Sequence, residues 1–360
     1  MKHTFLRKGS FVLAIIMVLS AVLTFGGCAA KTEYKDFDYF VMDTYVTIRL
    51  ANEGDDGKLT DAYLKEVADN CAAILAEVDG VISCHNDASD ISAFNSDISV
   101  LMGADESLLS LLKTADKITS LTSRAFDYTL GVLTELWNVN GGGPVPSESD
   151  ISYALSHTGA DKLKFKGDAI EKIDKNLKID LGGIGKGHAT QLILEYLATT
   201  DVKCGIVSLG GNIGVYGAKP NGQTYKIGIS DPDGSGMIGH LYLTSGFVSV
   251  SSDSERFFET DGVRYHHILD PKTGYPADSG IRSVAVYSTN GATADALSTA
   301  LFVMGVEETM KLYESGEITF EAVFVTDDGK VITTPGLGSD TFVMASIKYK
   351  HEIAESTAKE

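Results

Sequence analysis

The sequence predicts a mixed α/β (α+β) fold with a large, mainly antiparallel sheet flanked by helices. Two patterns predict it. Apolar residues in the first half follow helical spacing, and the second half holds many short runs of β-branched and aromatic residues bounded by turn residues. Hydrophobic residues make up 44% of the 360-residue chain, so a sizeable core is available for such a layered fold.

The N-terminus has the layout of a secretory signal. Basic residues precede an apolar run over 11–23, and small residues precede Cys28. The apolar run is too short for a permanent membrane-spanning helix. Because Cys28 follows two small residues, as in a bacterial lipobox, we expect residues 1–27 to be a lipoprotein signal peptide, Cys28 to be lipidated and residues 28–35 to be a tether. An ordinary signal peptide with a chance cysteine is the alternative.

The rest of the chain is expected to form one domain over 36–348 and a surface tail over 349–360. The formal net charge of −19 argues against a nucleic-acid partner, which would need a basic surface. Three cysteines follow Cys28, an odd and sparse set that predicts no disulfide framework. The chain has no Cys-x-x-Cys pair, so a structural zinc site is not predicted.

The elements follow in order along the chain. The run DYFVMDTYVTIRLA predicts one strand, and apolar spacing over 59–82 predicts an amphipathic helix. A second helix is predicted over 107–122, and GGGPVP at 141–146 predicts a loop. The later predicted strands are CGIVSLGG, YKIGIS, LYLTSGFVSVSS, RYHHILD and IRSVAVYS, followed by helices from about 294 and 307 and the strands EAVFVT and TFVMASIKY.

The stretch KIDLGGIGKGHAT at 178–190 looks like a phosphate-binding loop. Its four glycines and Lys186 lie between a strand-like segment and an apolar helix. It fails the Walker A pattern, because Asp180 and Gly187 stand where a Gly and a Ser or Thr are required, and His188 breaks the pattern G-x-G-x-x-G. Two interpretations stay open: backbone N–H groups that face a phosphate, or tight helix–strand packing.

The stretch RYHHILDPKTGYPA at 264–277 carries two adjacent histidines. In a strand His266 and His267 point to opposite faces, so only one can readily enter a given site. A histidine titrates near neutral pH and therefore suits a proton acceptor. The alternative is a hairpin with one exposed histidine, because DPKTG is a turn in which Gly274 allows a positive φ.

The stretch TADALSTALFVMG at 293–305 predicts a helix with a polar face. Asp295 and Thr299 are four residues apart and share that face. A carboxylate beside a hydroxyl suits a hard cation such as Mg²⁺. Helix capping, with Thr293 at the N-cap and Asp295 in the first turn, is the alternative.

Two shorter segments also interrupt apolar runs. Phe126 and Asp127 precede an apolar helix and could stack on or hydrogen-bond a ring, or simply start the helix. Met42 and Asp43 break an otherwise apolar strand.

The order and spacing of these segments resemble the ApbE family, the FAD:protein FMN transferases. The resemblance runs from about 38 to 305 and implies a T-fold-like architecture around one FAD site. The segments that carry it are MDTYVTI, SDISAFN, AFDYTLGVL, IDLGGIGKG, VSLGGNI, SSDSERFF, RYHHILDPKTGYPA and ADALSTALFVMG.

Members of this family split FAD at its pyrophosphate with Mg²⁺, attach FMN to a Thr or Ser hydroxyl of a partner protein and release AMP. The resemblance therefore implies a transferase with Mg²⁺ as cofactor and FAD as substrate. It also implies an acceptor protein with a Ser/Thr-Gly-Ala-Thr-like motif, typically a subunit of a membrane redox complex. With the signal sequence, it implies a lipid-anchored protein at the extracytoplasmic face of the bacterial cell membrane.

Residue by residue, the resemblance implies three groups. The metal ligands are Asp295, Thr299 and the main-chain carbonyl of Gly183. The candidate bases are His267 and Asp253, with no choice made between them. The residues expected to contact FAD are Met42, His85, Ala125, Phe126, Asp127, Asp180, Lys186 and Leu269.

The chain departs from the family pattern in two places. Many relatives have a tyrosine just upstream of the S-x-F-N segment, where this chain has Cys84 and His85; His85 could replace the tyrosine on the flavin. TNGAT at 289–293 resembles the acceptor motif, but Asn290 replaces its Ser or Thr, so we interpret it as the start of the metal helix.

Three other functions are compatible with parts of the sequence. An FAD hydrolase would use the same site and produce free FMN and AMP. A non-catalytic flavin-binding lipoprotein would bind FAD without cleaving it. A solute-binding lipoprotein fits the signal and size but leaves the segments over 264–305 unexplained.

Overall fold

The computed structural model describes residues 32–54, 57–96, 98–104, 106–220, 222–234 and 236–356. The predicted signal peptide and Cys28 lie outside these residues. From Tyr34 onward the chain forms one compact unit. None of its described helices is both long enough and apolar enough to cross a bilayer.

The helices and strands have the following bounds. The helices are α1 (Asp61–Ile82), α2 (Asp90–Asn95), α3 (Glu106–Leu121), α4 (Gly131–Trp137), α5 (Glu148–Ser156), α6 (Gly185–Leu197) and α7 (Gly291–Ser315), with short 3₁₀ turns at Val139–Gly141 and Ala160–Lys162. The strands are β1 (Tyr34–Val41), β2 (Thr44–Ala51), β3 (Glu53–Gly54), β4 (Gly57–Lys58), β5 (Val100–Leu101), β6 (Leu163–Lys166), β7 (Ala169–Lys172), β8 (Gly205–Leu209), β9 (Asn212–Tyr216), β10 (Tyr225–Ser230), β11 (Met237–Leu243), β12 (Gly246–Ser252), β13 (Phe257–Thr260), β14 (Val263–His266), β15 (Ile281–Ser288), β16 (Glu321–Thr326), β17 (Lys330–Thr333), β18 (Phe342–Met344) and β19 (Lys350–Ile353).

A nine-stranded sheet is the centre of the fold, in the order β1-β2-β8-β9-β12-β15-β16-β17-β19. Every pairing in it is antiparallel except that of β17 with β19. The predicted mixed fold with a large, mainly antiparallel sheet flanked by helices is therefore confirmed.

Both faces of this sheet are buried. Along β15, Val284 and Val286 pack into the core formed with helices α1, α6 and α7, whereas Ala285 packs into a second core. The second core lies against the three-stranded sheet β10-β11-β18. Alternate residues of a strand point to opposite faces, so one strand serves both layers.

The predicted single strand over 38–51 is wrong. It is a hairpin of β1 and β2, and its turn is Met42–Asp43, both with φ of 54°. Two consecutive residues with positive φ form the tight turn that matches the twist of a hairpin. The predicted strand LYLTSGFVSVSS also divides, because β11 and β12 belong to different sheets.

Helix α7, which carries the predicted metal ligands Asp295 and Thr299, begins earlier than predicted. Asn290 is its N-cap, and its side chain accepts a hydrogen bond from the Thr293 N–H at 2.8 Å. Thr293 is therefore not the cap, and the capping alternative for Asp295 is wrong. The two predicted helices are both present within α7. They lie on either side of Gly305, where the backbone is not helical and φ is 74°.

The chain end departs from the predicted surface tail. Lys350–Ile353 pair in parallel with Lys330–Thr333 and form an edge strand of the large sheet. The prediction failed because charged residues suit a solvent-facing edge strand as well as a free tail. The domain therefore extends beyond residue 348.

Candidate functional site

The glycine-rich loop precedes α6, and hydrogen bonds hold its shape. The Asp180 carboxylate accepts a bond from the Gly182 N–H at 2.8 Å, and the Asp180 N–H donates to the Tyr128 carbonyl at 2.8 Å. The segment before the loop forms only an isolated bridge between Lys178 and Leu130, not the strand suggested by the sequence. Asp180 thus shapes the loop through its side chain.

The glycines of the loop allow two helices to approach closely. A Cβ atom on Gly187 would lie 2.2 Å from the Gly291 carbonyl oxygen, and one on Gly291 would lie 2.3 Å from the Gly187 carbonyl oxygen. The first turns of α6 and α7 therefore cross with almost no side chain between them. The tight contact is between two helices rather than between helix and strand.

This crossing brings Asp295 to the glycine loop. Asp295 is 4% exposed, and its Oδ2 accepts a hydrogen bond from the Gly187 N–H at 2.8 Å. Its Oδ1 accepts from Asn212 Nδ2 and from Ser249 Oγ, each at 3.0 Å. Buried charge is tolerated where hydrogen bonds compensate for lost water, and these three donors provide that compensation.

Thr299 and Gly183 lie next to one another, one helical turn from Asp295. A Cβ atom on Gly183 would lie 3.2 Å from the Thr299 hydroxyl and 3.3 Å from the Phe126 ring. The three predicted metal ligands are thus a carboxylate, a hydroxyl and a carbonyl around one loop. Such a hard, all-oxygen set fits Mg²⁺. Within the described residues, no group of three or more His, Cys, Asp or Glu side chains is placed so that it could hold a metal ion.

His267 lies close enough to the loop lysine, Lys186, for the two charges to interact. Its Nδ1–H donates to the Arg256 carbonyl at 3.3 Å, which leaves Nε2 as the proton acceptor. Burial and the Arg256 guanidinium lower the pKa of His267 to about 4, and Lys186 contributes to the shift. The ring is therefore neutral near pH 7, the form that a general base requires.

Asp253 does not accompany His267. Arg282 Nε donates to Asp253 Oδ2 at 2.7 Å, and both line a cavity of about 350 Å³ together with His266. His266 is buried, and its Nε2–H donates to the Ala277 carbonyl at 3.0 Å. The predicted opposite orientation of the two histidines is found, and Asp253 lies on the side of His266.

Phe126 and Asp127 have different surroundings. Phe126 is buried against Gly183, one of the three predicted metal ligands. Asp127 has a fully buried side chain: its Oδ2 pairs with Arg124 at 2.6 Å, and its Oδ1 accepts from the Thr129 hydroxyl and N–H. Ala125 lies beside them and lines a second cavity of about 350 Å³. The structure therefore gives the Asp127 carboxylate a role in holding its own loop.

The segments that carry Met42 and His85 both lie near the Asp79 carboxylate. Met42 occupies the tight turn between β1 and β2, and His85 is exposed after the end of α1. Burial raises the pKa of Asp79, with a further contribution from Asp43 and an opposing one from His85, so both segments lie near this carboxylate.

Leu269 lies at the start of the predicted turn. Its side chain is 5% exposed in a small core around Trp137, so only its backbone is available to a ligand. The turn forms as predicted: Gly274 has φ of 77° and its N–H donates to the Asp270 carbonyl at 2.8 Å. Trp137 Nε1 fixes the turn by donating to the Gly274 carbonyl at 2.7 Å.

The sequence analysis did not identify three side chains near these residues. Asn212 and Ser249 bind Asp295, as described above. Burial raises the pKa of Glu255. The positive charges of Lys186 and Arg256 oppose this shift, whereas the Asp295 carboxylate adds to it. Glu255, rather than Asp253, is therefore the acid of the SSDSERFF segment that lies near Asp295. The segment VSLGGNI contains Asn212, LYLTSGFVSVSS contains Ser249 and SSDSERFF contains Glu255, but the sequence alone does not show which residue of each segment points inward.

Comparison with known proteins decides the family. Residues 42–324 match the model of the ApbE family. The chain belongs to the ApbE family. It is 30% identical to the FAD:protein FMN transferase of Vibrio cholerae over 87% of this chain and 94% of that protein, and 30% identical to that of Treponema pallidum over 90% and 92%.

Solved structures of ApbE proteins share the fold. The ApbE protein of Thermotoga maritima superposes with a TM-score of 0.77 at 33% identity, covering 85% of this chain and 98% of that one. The apo flavinyl transferase ApbE of Pseudomonas stutzeri has a TM-score of 0.75 at 28% identity, covering 88% and 98%. These neighbours agree with the mixed α/β architecture described above.

Proposed function

We propose that this ApbE-family chain transfers FMN from FAD to a Thr or Ser hydroxyl of a partner protein in an Mg²⁺-dependent reaction that releases AMP. One observation carries the proposal: the buried Asp295 carboxylate, the Thr299 hydroxyl and the Gly183 backbone meet at one glycine loop. The names of the relatives supply the reaction class, a flavin transferase with FAD as its donor.

In this reaction the acceptor oxygen forms a bond to the phosphorus of the FMN half of FAD. The bond from that phosphorus to the bridging pyrophosphate oxygen breaks, and AMP leaves with the electron pair. The acceptor hydroxyl loses its proton, which we assign to Nε2 of His267. Such general-base help is typically worth about 10²–10⁴-fold.

Asp295, Thr299 and the Gly183 carbonyl would hold Mg²⁺, which when bound neutralises charge on the pyrophosphate and the leaving phosphate. Lys186 adds a further positive charge at the start of α6, where its Nζ donates to the Gly182 carbonyl at 3.2 Å. These positive groups matter because the net charge of −19 would otherwise repel a dinucleotide.

We also propose a location for the chain and a class of acceptor. The signal layout before Cys28 supports a lipid anchor at the extracytoplasmic face of the membrane. Two or more acyl chains on one cysteine would make that anchoring stable. An acceptor with a Ser/Thr-Gly-Ala-Thr-like motif in a membrane redox complex would then be within reach.

The test uses the mature chain from residue 29, FAD and a peptide with that acceptor motif, with Mg²⁺ or with a chelator. AMP release and the peptide mass are followed together. We expect AMP and a peptide heavier by one FMN residue, both lost with the chelator. His267→Asn should reduce both by about 10²–10⁴-fold while leaving Mg²⁺ binding intact.

Two results would contradict the proposal. AMP with free FMN and an unmodified peptide would indicate an FAD pyrophosphatase. FAD recovered intact on the protein, with no AMP, would indicate a flavin-binding lipoprotein without catalysis.

A further inference from the structure

The two oxygens of the Asp295 carboxylate are used unequally. Oδ1 accepts two hydrogen bonds, from Asn212 Nδ2 and Ser249 Oγ, each at 3.0 Å. Oδ2 accepts one, from the Gly187 N–H at 2.8 Å. An ionised carboxylate offers about four acceptor positions, two on each oxygen. Within the described part of the chain, the remaining position is therefore on Oδ2.

The two donors to Oδ1 are themselves fixed. Asn212 is 4% exposed at the start of β9, and Ser249 is fully buried in β12. The Ser249 hydroxyl also lies 3.2 Å from the Ser298 hydroxyl, which lies 2.8 Å from that of Ser251. Ser298 is on α7 and also donates to the Asp295 carbonyl at 2.8 Å. Neither donor can swing away without losing contacts in a closed interior.

We propose that Asn212 and Ser249 select the metal of this site by occupying Oδ1, so that Asp295 offers a cation one oxygen instead of two. The inference rests on the proposed function, because it concerns the same metal. Mg²⁺ demands a small octahedral shell and commonly takes a carboxylate through one oxygen. Ca²⁺ accepts six to eight ligands and often takes a carboxylate through both oxygens. A carboxylate with one oxygen blocked therefore favours Mg²⁺ over Ca²⁺.

Asn212 and Ser249 are thus positioning residues that act through Asp295. Ser249→Ala or Asn212→Ala removes one donor to Oδ1, and the double variant removes both. Freed Oδ1 can join Oδ2 on a larger cation, while Asp295 loses the orientation that suits Mg²⁺. Loss of such outer hydrogen bonds typically weakens metal affinity by about 10–100-fold. The affinity for Mg²⁺ should fall by this factor, and the affinity for Ca²⁺ should fall less. The ratio of Mg²⁺ affinity to Ca²⁺ affinity should therefore decrease by about tenfold or more.

Ser251→Ala is the matched control. It removes a serine hydroxyl from the same strand and the same hydroxyl chain, but Ser251 contacts Ser298 and not the carboxylate. This variant should have the same ratio of Mg²⁺ affinity to Ca²⁺ affinity as the unaltered protein.

In the test, Mn²⁺ is bound to the mature chain as a spin probe and is then displaced with Mg²⁺ or with Ca²⁺. Electron paramagnetic resonance measures the displaced Mn²⁺. Circular dichroism and melting temperature establish that each variant is folded, and the single variants decide if the double variant does not fold. A narrowed ratio in Ser249→Ala and Asn212→Ala, absent in Ser251→Ala, supports the proposal.

Two outcomes overturn the proposal. One is an unchanged ratio of Mg²⁺ to Ca²⁺ affinity, including equal losses of affinity for both ions; the other is the same change of this ratio in Ser251→Ala. If unaltered protein binds no Mn²⁺, the metal part of the proposed function fails as well. If unaltered protein binds metal and transfers FMN while the ratio stays fixed in the variants, only the selectivity inference fails.

Discussion

Asp127 and Asp295 are both buried carboxylates, yet their surroundings differ. Asp127 is paired with the Arg124 guanidinium and with Thr129, so its charge is already neutralised inside its own loop. Among the described residues, Asp295 receives only uncharged donors, from three different elements. A carboxylate held by neutral donors keeps its charge available for a cation, whereas one held by arginine does not. The partners of an aspartate, more than its burial, therefore separate a binding group from a structural one.

Neutralising each aspartate in turn tests this difference most directly. Asp295→Asn should reduce FMN transfer by at least about 10²-fold, because a bound metal ion supplies several kcal/mol of charge stabilisation. Asp127→Asn should leave Mg²⁺ binding unchanged and lower the free energy of unfolding by about 1–3 kcal/mol, because Arg124 loses a charged acceptor. Metal titration of both variants measures their Mg²⁺ binding, and denaturant unfolding measures their free energy of unfolding. A fully active Asp295→Asn protein would refute the metal assignment.

A smaller effect is expected from the glycine that brings Asp295 to the loop. Gly187→Ala would place a Cβ atom 2.2 Å from the Gly291 carbonyl oxygen and 2.5 Å from the Asp295 Cβ, so α6 and α7 must separate. Such overpacking costs about 1–3 kcal/mol of unfolding free energy, occasionally more, and should also weaken Mg²⁺ binding.

Gly80→Ala in α1 is the control for this change, because an added Cβ there meets nothing within 4 Å. Alanine is the better helix former by roughly 0.5–1 kcal/mol, so this variant should gain stability. Equal melting temperatures for the two variants would contradict the close helix contact.

The smallest expected effect is a shift in pH dependence. Because the pKa of His267 is lowered to about 4, the ring stays neutral in the folded protein down to that pH. Transfer activity should therefore be flat from pH 8 to about 6 and decline only towards about 4, not around the ordinary value of 6.5. An activity midpoint near 6.5 would show that the base is more hydrated than its position here implies.

The same shift affects stability. Between pH 6.5 and 4 the unfolded chain takes up a proton on this histidine and the folded chain does not, so the contribution of His267 to stability should fall as the pH falls through that window. His267→Asn should remove this part of the pH dependence in thermal unfolding curves.

The sequence predicted elements with strong local patterns and missed those set by distant partners. Helix α1 and the strands IRSVAVYS and EAVFVT were confirmed, because apolar spacing and β-branched residues specify them locally. The turn at Met42–Asp43 was missed, because neither residue is the glycine that usually marks positive φ. Lys350–Ile353 was missed because its strand exists only through pairing with β17.

The site shows the same division. The i, i+4 spacing of Asp295 and Thr299 predicted a shared face, and the structure places both at the glycine loop. The donors to Asp295 come from residues 187, 212 and 249, and no local pattern joins them. Likewise, the family resemblance implied Asp253 as a candidate base beside His267, but Asp253 pairs with Arg282 and lines a cavity with His266.

The nine-stranded sheet also fixes where the two chain ends emerge. β1, which begins at Tyr34, is one edge of that sheet, and β19, which ends at Ile353, is the other. Eight inter-strand spacings of about 4.8 Å separate the edges, on the order of 40 Å for a flat sheet. A fluorophore or affinity tag after the last strand would therefore report from the opposite flank to anything fused ahead of the first.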